Sequence, residues 1–423
     1  MRRFPESRIG ICGYVSNPLV RVYGRIKMEP ESFVVEEIPV DFKRVENGKF
    51  LYIRVQLRDW DTNRFLIELS RRLGISRKRI TYAGSKDKTA LTTQYFCINS
   101  DIDVNDLSFP GFALLEAFRS DHMLRLGDLL GNRFSILLAS ERDLGEDVRN
   151  IYEEVASVGG FPNFFGPQRF GSIRPNTHVV GKLIIMGKME EAVMEYIADP
   201  DLDDEWYRLE FYKTQDAREA LKNFPIHLSY ERSLLQFILN GQIKKAFSVF
   251  PVQLRMLFVH AYQSFLFNRI VSERLHVEGS VAEPRPGDIC YETDSLGNPT
   301  GKTVNVNEFN MAKIRSAIES RNLSVTAPLP GYRFVAGDSP MERIADSIMK
   351  DEGVNPSDFR IREIPEISSS GDRRTIRSFP VDFILHQGNR ISFTLGRGMY
   401  ATSFLRELIK PVFLDEFSGN IKG

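Results

Sequence analysis

Asp87 is the residue whose type and neighbours point most directly to chemistry. It lies between Lys86 and Lys88, within the segment 82–94. Two adjacent cations stabilise the ionised form of a carboxyl group, so we expect a lowered pKa for Asp87. Such a carboxylate is a poor general acid but suits a nucleophile or an ion-pair partner. Gly, Ser, Asp and Lys also favour solvated turns, and this plainer interpretation stays open on composition alone.

The spacing argues against three more familiar kinds of site. A phosphate-binding loop needs a glycine directly before its Lys-Thr pair, where this chain has Asp87. No His/Cys cluster has the spacing of zinc ligands, and no Gly-x-Gly-x-x-Gly follows a predicted strand. We therefore expect neither a metal nor a dinucleotide cofactor.

The elements that would position Asp87 are predicted from periodicity. The apolar segments 79–82 and 95–98 read as strands, which places Asp87 on the loop between them. An Asp-Thr-Asn start at 61–63 and a stop at Gly74 predict a helix. Alternation with period two, or a helical apolar face, predicts the remaining elements of this mixed α and β block: strands near 24–57 and at 131–138, and a helix at 144–157.

Composition changes after Gly171. The chain then becomes largely helical, and residues 366–372 resemble a linker. Strands and a helix follow the linker, so the end of the chain returns to the character of its start. This pattern predicts a domain inserted into another. The predicted elements are helices at 190–197, 214–221 and 252–275, loops with short strands at 278–310, strands at 377–384 and 390–395, and a helix at 402–408.

The overall composition is that of a globular protein of two or three domains. The chain has 423 residues, 42% apolar and 26% charged. No apolar run approaches a membrane span, and the first residues lack the apolar core of a signal peptide. The three cysteines are far apart and odd in number, which favours reduced thiols and a cytoplasmic location.

Charge is balanced overall, with 56 basic and 56 acidic residues, but it is unevenly distributed. Zero net charge argues weakly against a general nucleic-acid coat and does not exclude a local basic patch. Two basic clusters flank the predicted insertion, and we expect them to border one cleft. The first contains Arg71, Arg72, Arg77, Lys78 and Arg79, and the second contains Arg373, Arg374 and Arg377.

Five segments, taken together and in order, resemble the TruD family of tRNA pseudouridine synthases. Each is weak alone, but together they span most of the chain. The match is strongest in the first 171 and the last 50 residues. The segments are Arg25-Ile26-Lys27 with Pro30–Glu37, Gly84–Gln94, Gly131–Ile136, Pro162–Gly171 and Gly398–Leu408.

The resemblance implies isomerisation of a uridine in RNA to pseudouridine, in this family uridine 13 of tRNA, without cofactor or metal. It implies an α+β fold, in which a catalytic domain with a mixed sheet is interrupted by a largely helical insertion. We accordingly expect the catalytic domain at 1–158, the insertion at 159–371 and the return of the catalytic domain at 372–423. The expected partner is tRNA, with no membrane contact, and no protein partner is indicated.

The resemblance also assigns roles to residues. Asp87 matches the family's nucleophile, which Lys86 or Lys88 would keep ionised. Lys27 matches a basic residue near that carboxylate, although a solvated lysine at a strand end would look the same. Phe33 and Phe134 match aromatic positions that would stack on a flipped-out uridine, and either is also a plausible core residue in a chain with 31 phenylalanines.

Two further positions complete the expected substrate site. Asn132 carries an amide that offers both a donor and an acceptor to the uracil edge, although asparagine is also common in turns. Tyr400 corresponds to an aromatic substrate contact that is Phe in some members, so its hydroxyl is a departure from the pattern. Gln168 and Arg169 are expected to be structural or to face RNA.

Two other functions fit the sequence less well. A non-catalytic RNA-binding module could keep the fold, but it would not need Asp87 between two lysines. A hydrolase of glycosidic bonds would usually need two working carboxylates, and the sequence offers one.

Overall fold

The N-terminal part of the chain forms most of one large sheet. The computed structural model describes residues 3–86, 89–171 and 173–417. The elements of this part are β1 (Phe33–Pro39), β2 (Phe50–Arg58), α1 (Thr62–Leu73), β3 (Ile80–Tyr82), β4 (Leu91–Ile98), β5 (Phe112–Ser120), β6 (Leu129–Leu137) and α2 (Gly145–Ser157).

The start and stop signals predicted for α1 are confirmed. The side chain of Asp61 accepts a hydrogen bond from the main-chain N–H of Arg64 at 3.0 Å. Gly74 ends the helix with φ 63°, the left-handed conformation that glycine adopts at little cost. The apolar face of α1 then packs on β2 and β4 through Phe65, Leu66 and Leu69.

The middle of the chain is largely helical and adds a smaller sheet. Its elements are β7 (Phe161–Pro162), α3 (Thr177–Ile185), α4 (Met189–Ile197), α5 (Trp206–Thr214), α6 (Ala217–Asn223), α7 (Ser229–Leu239), α8 (Val252–Glu278), β8 (Ile289–Thr293), β9 (Pro299–Asn305), α9 (Met311–Glu319), β10 (Leu323–Leu329), α10 (Pro340–Asp351) and β11 (Asp372–Thr375).

Two predictions for this middle part are wrong. The continuous helix predicted at 214–221 is interrupted, because Gln215 has a φ of 53° and the Asp216 side chain accepts hydrogen bonds from the first main-chain N–H groups of α6. Residues 366–372 are not a free linker. Ile367 is buried, and the carbonyls of Ser369 and Ser370 accept main-chain hydrogen bonds from the segment after β10.

The end of the chain returns to the large sheet. It forms β12 (Arg377–Ser378), β13 (Val381–His386), β14 (Arg390–Gly396) and α11 (Ala401–Ile409). The first strand after residue 371, β11, pairs with β10 in the smaller sheet, and β12 pairs with β7. The domain boundaries given above remain a prediction.

Within the described residues, the large sheet has eight strands in the order β13-β14-β6-β1-β4-β2-β5, with β3 also paired to β4. β1 and β4 are parallel, and the other pairs are antiparallel. β2 pairs along β4 from residue 91 to 98. β1 pairs with residues 91–93 and β3 with residues 96–98, so β1 and β3 share the other edge of β4. The loop 83–90 begins where these two strands meet.

Two separate groups of helices pack on one face of the large sheet. α1 packs over β2 and β4, whereas α2 and α11 pack over β1, β6 and β14. The combination of helices with a mixed sheet confirms the predicted α+β class. All three cysteines are unpaired. Over the described ranges, no helix combines the length and apolar character needed to cross a membrane.

Candidate active site

Three of the predicted site residues, Phe33, Asn132 and Phe134, lie on one face of the sheet, on β1 and β6. Glu37 pairs with Asn132 and Val35 pairs with Phe134 in the antiparallel register. Side chains alternate along a strand, so Phe33 and Glu37 of β1 point to the same face as Asn132 and Phe134 of β6. The structure thus brings together residues about 100 positions apart in sequence.

The aromatic residues of this group form a continuous cluster. The rings of Phe33 and Phe134 meet edge to face with centroids 6.4 Å apart, and Phe134 stacks on Phe393 of β14 at 5.4 Å. Both Phe33 and Phe134 are buried and belong to the core under α2 and α11. They are therefore core residues in this state, and only the small exposed part of each ring is available to a ligand.

Lys27 lies against the same cluster. Its Nζ is 4.6 Å from the centroid of the Phe33 ring, and its side chain is buried. The structure excludes the alternative of a solvated lysine. Its φ of 57° is unusual for a residue with a side chain. Strained backbone of this kind is retained where the surrounding structure requires it, commonly at functional sites.

Asp87 and Lys88 lie outside the described residues, but the two ends of their loop are fixed. The carbonyl of Ala83 accepts a hydrogen bond from Gly127 N–H at 2.8 Å, and that of Ala90 accepts one from Asp59 N–H at 3.4 Å. Both alanines are buried. The loop thus starts and ends against the sheet, beside β1 and β4.

Lys86 has a partner that sequence reasoning missed. Its Nζ is 2.6 Å from Oε2 of Glu37, and both side chains are almost fully buried. One of the two ammonium groups predicted to keep Asp87 ionised is thus paired with the carboxylate of Glu37. The alternation of residues 33–38 already indicated that Glu37 is buried. Glu37 falls on the same face as Phe33 and Val35, whereas Glu36 falls on the opposite face.

Some polar atoms of this region have no hydrogen-bond partner among the described residues. Oδ1 of Asn132 is buried without a hydrogen bond, and so are both terminal atoms of the Gln94 amide on β4. Buried polar atoms without partners cost about 1–3 kcal/mol each, so they mark places where a ligand or a local movement can supply a bond.

Tyr400 belongs to a different cluster. It immediately precedes α11, and its ring is 6.1 Å from that of Phe165 and 5.9 Å from the guanidinium of Arg374. In the described part of the chain, no ring contact connects it to Phe33 or Phe134. Burial lowers the pKa of Arg374 to about 10, so this guanidinium remains charged near neutral pH. The nearby Arg169 packs on Phe165 and donates to the Ser264 hydroxyl.

The second basic cluster is not a free basic surface of the kind predicted. Arg77, Lys78 and Arg79 are exposed on the turn before β3. Arg377 is buried and donates to three main-chain carbonyls, and Arg373 pairs with Glu342. The prediction is therefore wrong for the second cluster, whose charges are used inside the protein. No group of His, Cys, Asp and Glu side chains in the described ranges is arranged to hold a metal ion.

Comparison with known proteins gives one consistent result. The family model described as tRNA pseudouridine synthase D (TruD) matches residues 8–408. A relative from Picrophilus torridus is 44% identical over 95% of this chain and 97% of its own length, and one from Thermoplasma volcanium is 47% identical over 90% and 93%. Both carry the name "Probable tRNA pseudouridine synthase D".

A solved structure agrees with this result. The crystal structure assigned to tRNA pseudouridine synthase D (TruD) from Methanosarcina mazei is 34% identical in sequence. It superimposes with a TM-score of 0.76 over 97% of this chain and 99% of that chain. The resemblance found in five short segments thus extends over the whole fold, and the chain belongs to the tRNA pseudouridine synthase D (TruD) family of isomerases.

Proposed function

We propose that this protein converts uridine 13 of tRNA to pseudouridine, with the carboxylate of Asp87 as nucleophile and without a cofactor. The observation that carries the proposal is the grouping of Phe33, Asn132 and Phe134 on one sheet face, with Lys27 against the Phe33 ring, beside the loop that contains Asp87. Family membership supports the reaction class. The three unpaired thiols fit a cytoplasmic setting.

The chemistry needs little beyond a nucleophile and a pocket. The bond between N1 and the ribose C1′ breaks, a bond between C5 and C1′ forms, the C5 proton leaves, and N1 gains a proton. Substrate and product have the same formula, so the reaction consumes no oxidant, reductant or group donor. Asp87 can attack either the ribose or the base and hold the intermediate while the uracil ring turns.

The grouped side chains suit the holding of a free base. A uridine in folded RNA has to leave its stack to react, and it is then held by stacking and by hydrogen bonds to its edge. The small exposed parts of the otherwise buried Phe33 and Phe134 rings offer the aromatic contact, for which stacking is worth about 1–3 kcal/mol per base. Oδ1 of Asn132, which has no partner among the described residues, is an acceptor for the N3–H of uracil. Tyr400 would contact the substrate from the side of Phe165 and Arg374.

The first test is the Asp87→Asn variant on a tRNA transcript labelled with tritium at C5 of uridine. The substitution keeps the size of the side chain and removes its charge, so tritium release should stop while RNA affinity stays near that of the wild type. A transcript with cytidine at position 13 is the matched control and should release no tritium. Release by Asp87→Asn at more than a few per cent of the wild-type rate would refute the nucleophile, and release from the cytidine transcript would refute the target position.

The same reaction separates isomerisation from hydrolysis. An enzyme that only cleaves the glycosidic bond leaves free uracil and an abasic ribose, whereas the isomerase keeps the base attached. The nucleosides digested from the product RNA should therefore include pseudouridine, and the mass of the RNA should show no loss of base. Hydrolysis does not break the C5–H bond, so accumulation of free uracil that keeps its C5 tritium would favour the hydrolase.

A further inference from the structure

The buried pair of Glu37 and Lys86 is the feature of this region that the proposed chemistry leaves unexplained. The Nζ–Oε2 distance is 2.6 Å, and the two side chains are 1% and 5% exposed, Glu37 being the lower. Removing two charges from water is expensive, and their attraction often only offsets that expense. A pair of this kind is therefore weak evidence for stability and suggests a role in fixing a specific geometry.

Both groups of the pair make a second contact, and together these contacts join four elements. Oε1 of Glu37 accepts a hydrogen bond from the main-chain N–H of Tyr95 on β4 at 3.3 Å. The main-chain N–H of Lys86 donates to the hydroxyl of Thr62, in the first turn of α1, at 3.0 Å. Lys86 is thus held through its backbone by α1 and through its side chain by β1.

The Glu37–Lys86 pair lies at the point of the sheet where β1 and β3 meet along β4. Along one edge of β4, β1 pairs with residues 91–93 and β3 pairs with residues 96–98. Tyr95 lies between these two paired stretches. Glu37 satisfies the Tyr95 N–H in that interval. The neighbouring Gln94 is 1% exposed, and its amide has no partner in the part of the chain that the structure describes. The sheet therefore keeps charged and polar groups next to the loop 83–90, at a site where apolar residues would pack at lower cost.

We propose that Glu37 is a positioning residue, which acts through Lys86 on the adjacent Asp87 in the reaction. The carboxylate of Glu37 fixes the Lys86 side chain, and the Thr62 hydroxyl fixes the Lys86 backbone. Lys86, which directly precedes Asp87 in the chain, is thereby held in one place relative to the sheet. This inference rests on the proposed function, since it is Asp87 that has to be positioned. A misplacement of about 1 Å can cost a reaction about 100-fold in rate.

The test compares Glu37→Gln with Glu36→Gln, the same change one residue earlier. Glu36 lies on the opposite face, is about a third exposed, and pairs with Arg54 at 2.7 Å and Arg133 at 3.5 Å. The expected result is a single-turnover rate at saturating tRNA that falls at least about 10-fold in Glu37→Gln and stays within about twofold in Glu36→Gln. The Kd for tRNA should stay within about twofold in both. Equal rates in the two variants, or a loss confined to the Kd, would overturn the inference.

A double variant keeps the test decisive if Glu37→Gln fails to fold. Glu37→Gln with Lys86→Met removes both charges, so no unpaired ion is left in the interior. A double variant that is folded, as judged by its thermal melt, and slow in single turnover supports positioning. One that is folded and as fast as the wild type shows that the pair only served stability, and it overturns the inference.

The Asp87→Asn variant, assayed in parallel, separates this inference from the proposed function. If Asp87→Asn is inactive and Glu37→Gln is as fast as Glu36→Gln, the nucleophile stands and the positioning role fails. If Asp87→Asn remains active, the nucleophile assignment fails, and with it the premise on which the positioning role rests.

Discussion

Two groups of basic residues in this molecule have similar composition and opposite surroundings. Arg77, Lys78 and Arg79 lie on an exposed turn, and among the described residues no carboxylate pairs with them. Arg373 and Arg377 point inward, to Glu342 and to three main-chain carbonyls. A guanidinium that is buried and already paired inside the protein is not available to a phosphate. The exposed turn is therefore the better candidate for RNA contact, whereas the second group supports the fold.

The largest effect should come from Arg377→Met. The guanidinium donates to the carbonyls of Gly159, Ile318 and Leu323 at 3.0–3.2 Å, and the side chain is 3% exposed. Methionine fills part of the volume but leaves those acceptors without donors, so unfolding in urea should show a loss of about 3 kcal/mol or more. Arg79→Met is the matched control and should change stability little. A loss below about 1 kcal/mol for Arg377→Met would remove the distinction between the two groups.

Arg374→Met should have a smaller effect. Arg374 donates to Oδ1 of Asn163 at 2.7 Å and to the carbonyl of Gly398 at 2.8 Å, and it lies 4.4 Å from the Phe165 ring. One substitution removes both hydrogen bonds and the cation–π contact, for an expected loss of about 1–3 kcal/mol in urea unfolding. Because Tyr400 is beside this guanidinium, turnover should fall as well. Unchanged stability with reduced RNA affinity would instead make Arg374 a phosphate contact.

Neutralising the exposed turn should affect binding and leave folding unchanged. In the triple variant Arg77→Gln, Lys78→Gln, Arg79→Gln, tRNA affinity should fall about 10-fold near physiological salt. The slope of log K against log salt should flatten by about 0.7–0.9 for each phosphate that the variant no longer neutralises. Single-turnover rates at saturating RNA should be retained. Identical salt slopes in variant and wild type would show that RNA binds elsewhere.

The smallest effect is expected for Arg71→Gln with Arg72→Gln. These arginines belong to the same sequence cluster, but both already pair with Glu68, at 2.8 and 2.6 Å. Because Glu68 already partly neutralises these two charges, RNA affinity should change by less than about threefold. A decrease as large as that of the triple variant would mean that exposure, rather than the absence of a carboxylate partner, decides which of these residues bind RNA.

Local features of the fold could be predicted from sequence, and non-local ones could not. The bounds of α1 follow from Asp61 and Gly74, whose effects act within one turn. The break at Gln215 was missed because the helical pattern continues across it, although Asp216 is a recognisable helix cap. The burial of Arg377 could not be predicted, because its hydrogen-bond acceptors are carbonyls 54 to 218 residues away in the sequence. No local sequence pattern encodes such contacts.

The candidate site divides in the same way. Motif resemblance identified its residues, but only the pairing of β1 with β6 places Phe33 and Asn132 on one face. Alternation along β1 predicts that Glu37 points inward, and sequence reasoning did not use that signal. Its partner Lys86 could not be inferred, because the contact depends on the path of a loop 49 residues later.

The order of strands in the large sheet has a consequence for synthesis of the protein. β14, from residues 390–396, pairs with β6 at residues 131–137, and α11 covers the same face. The stacking partner of Phe134 is thus made about 260 residues after Phe134 itself. During translation the first strands emerge with the edge of β6 unpaired, and the helical middle part is made before that edge can close. We expect the face that carries Phe33 and Phe134 to form late, so a nascent chain stalled before residue 390 should lack the candidate site.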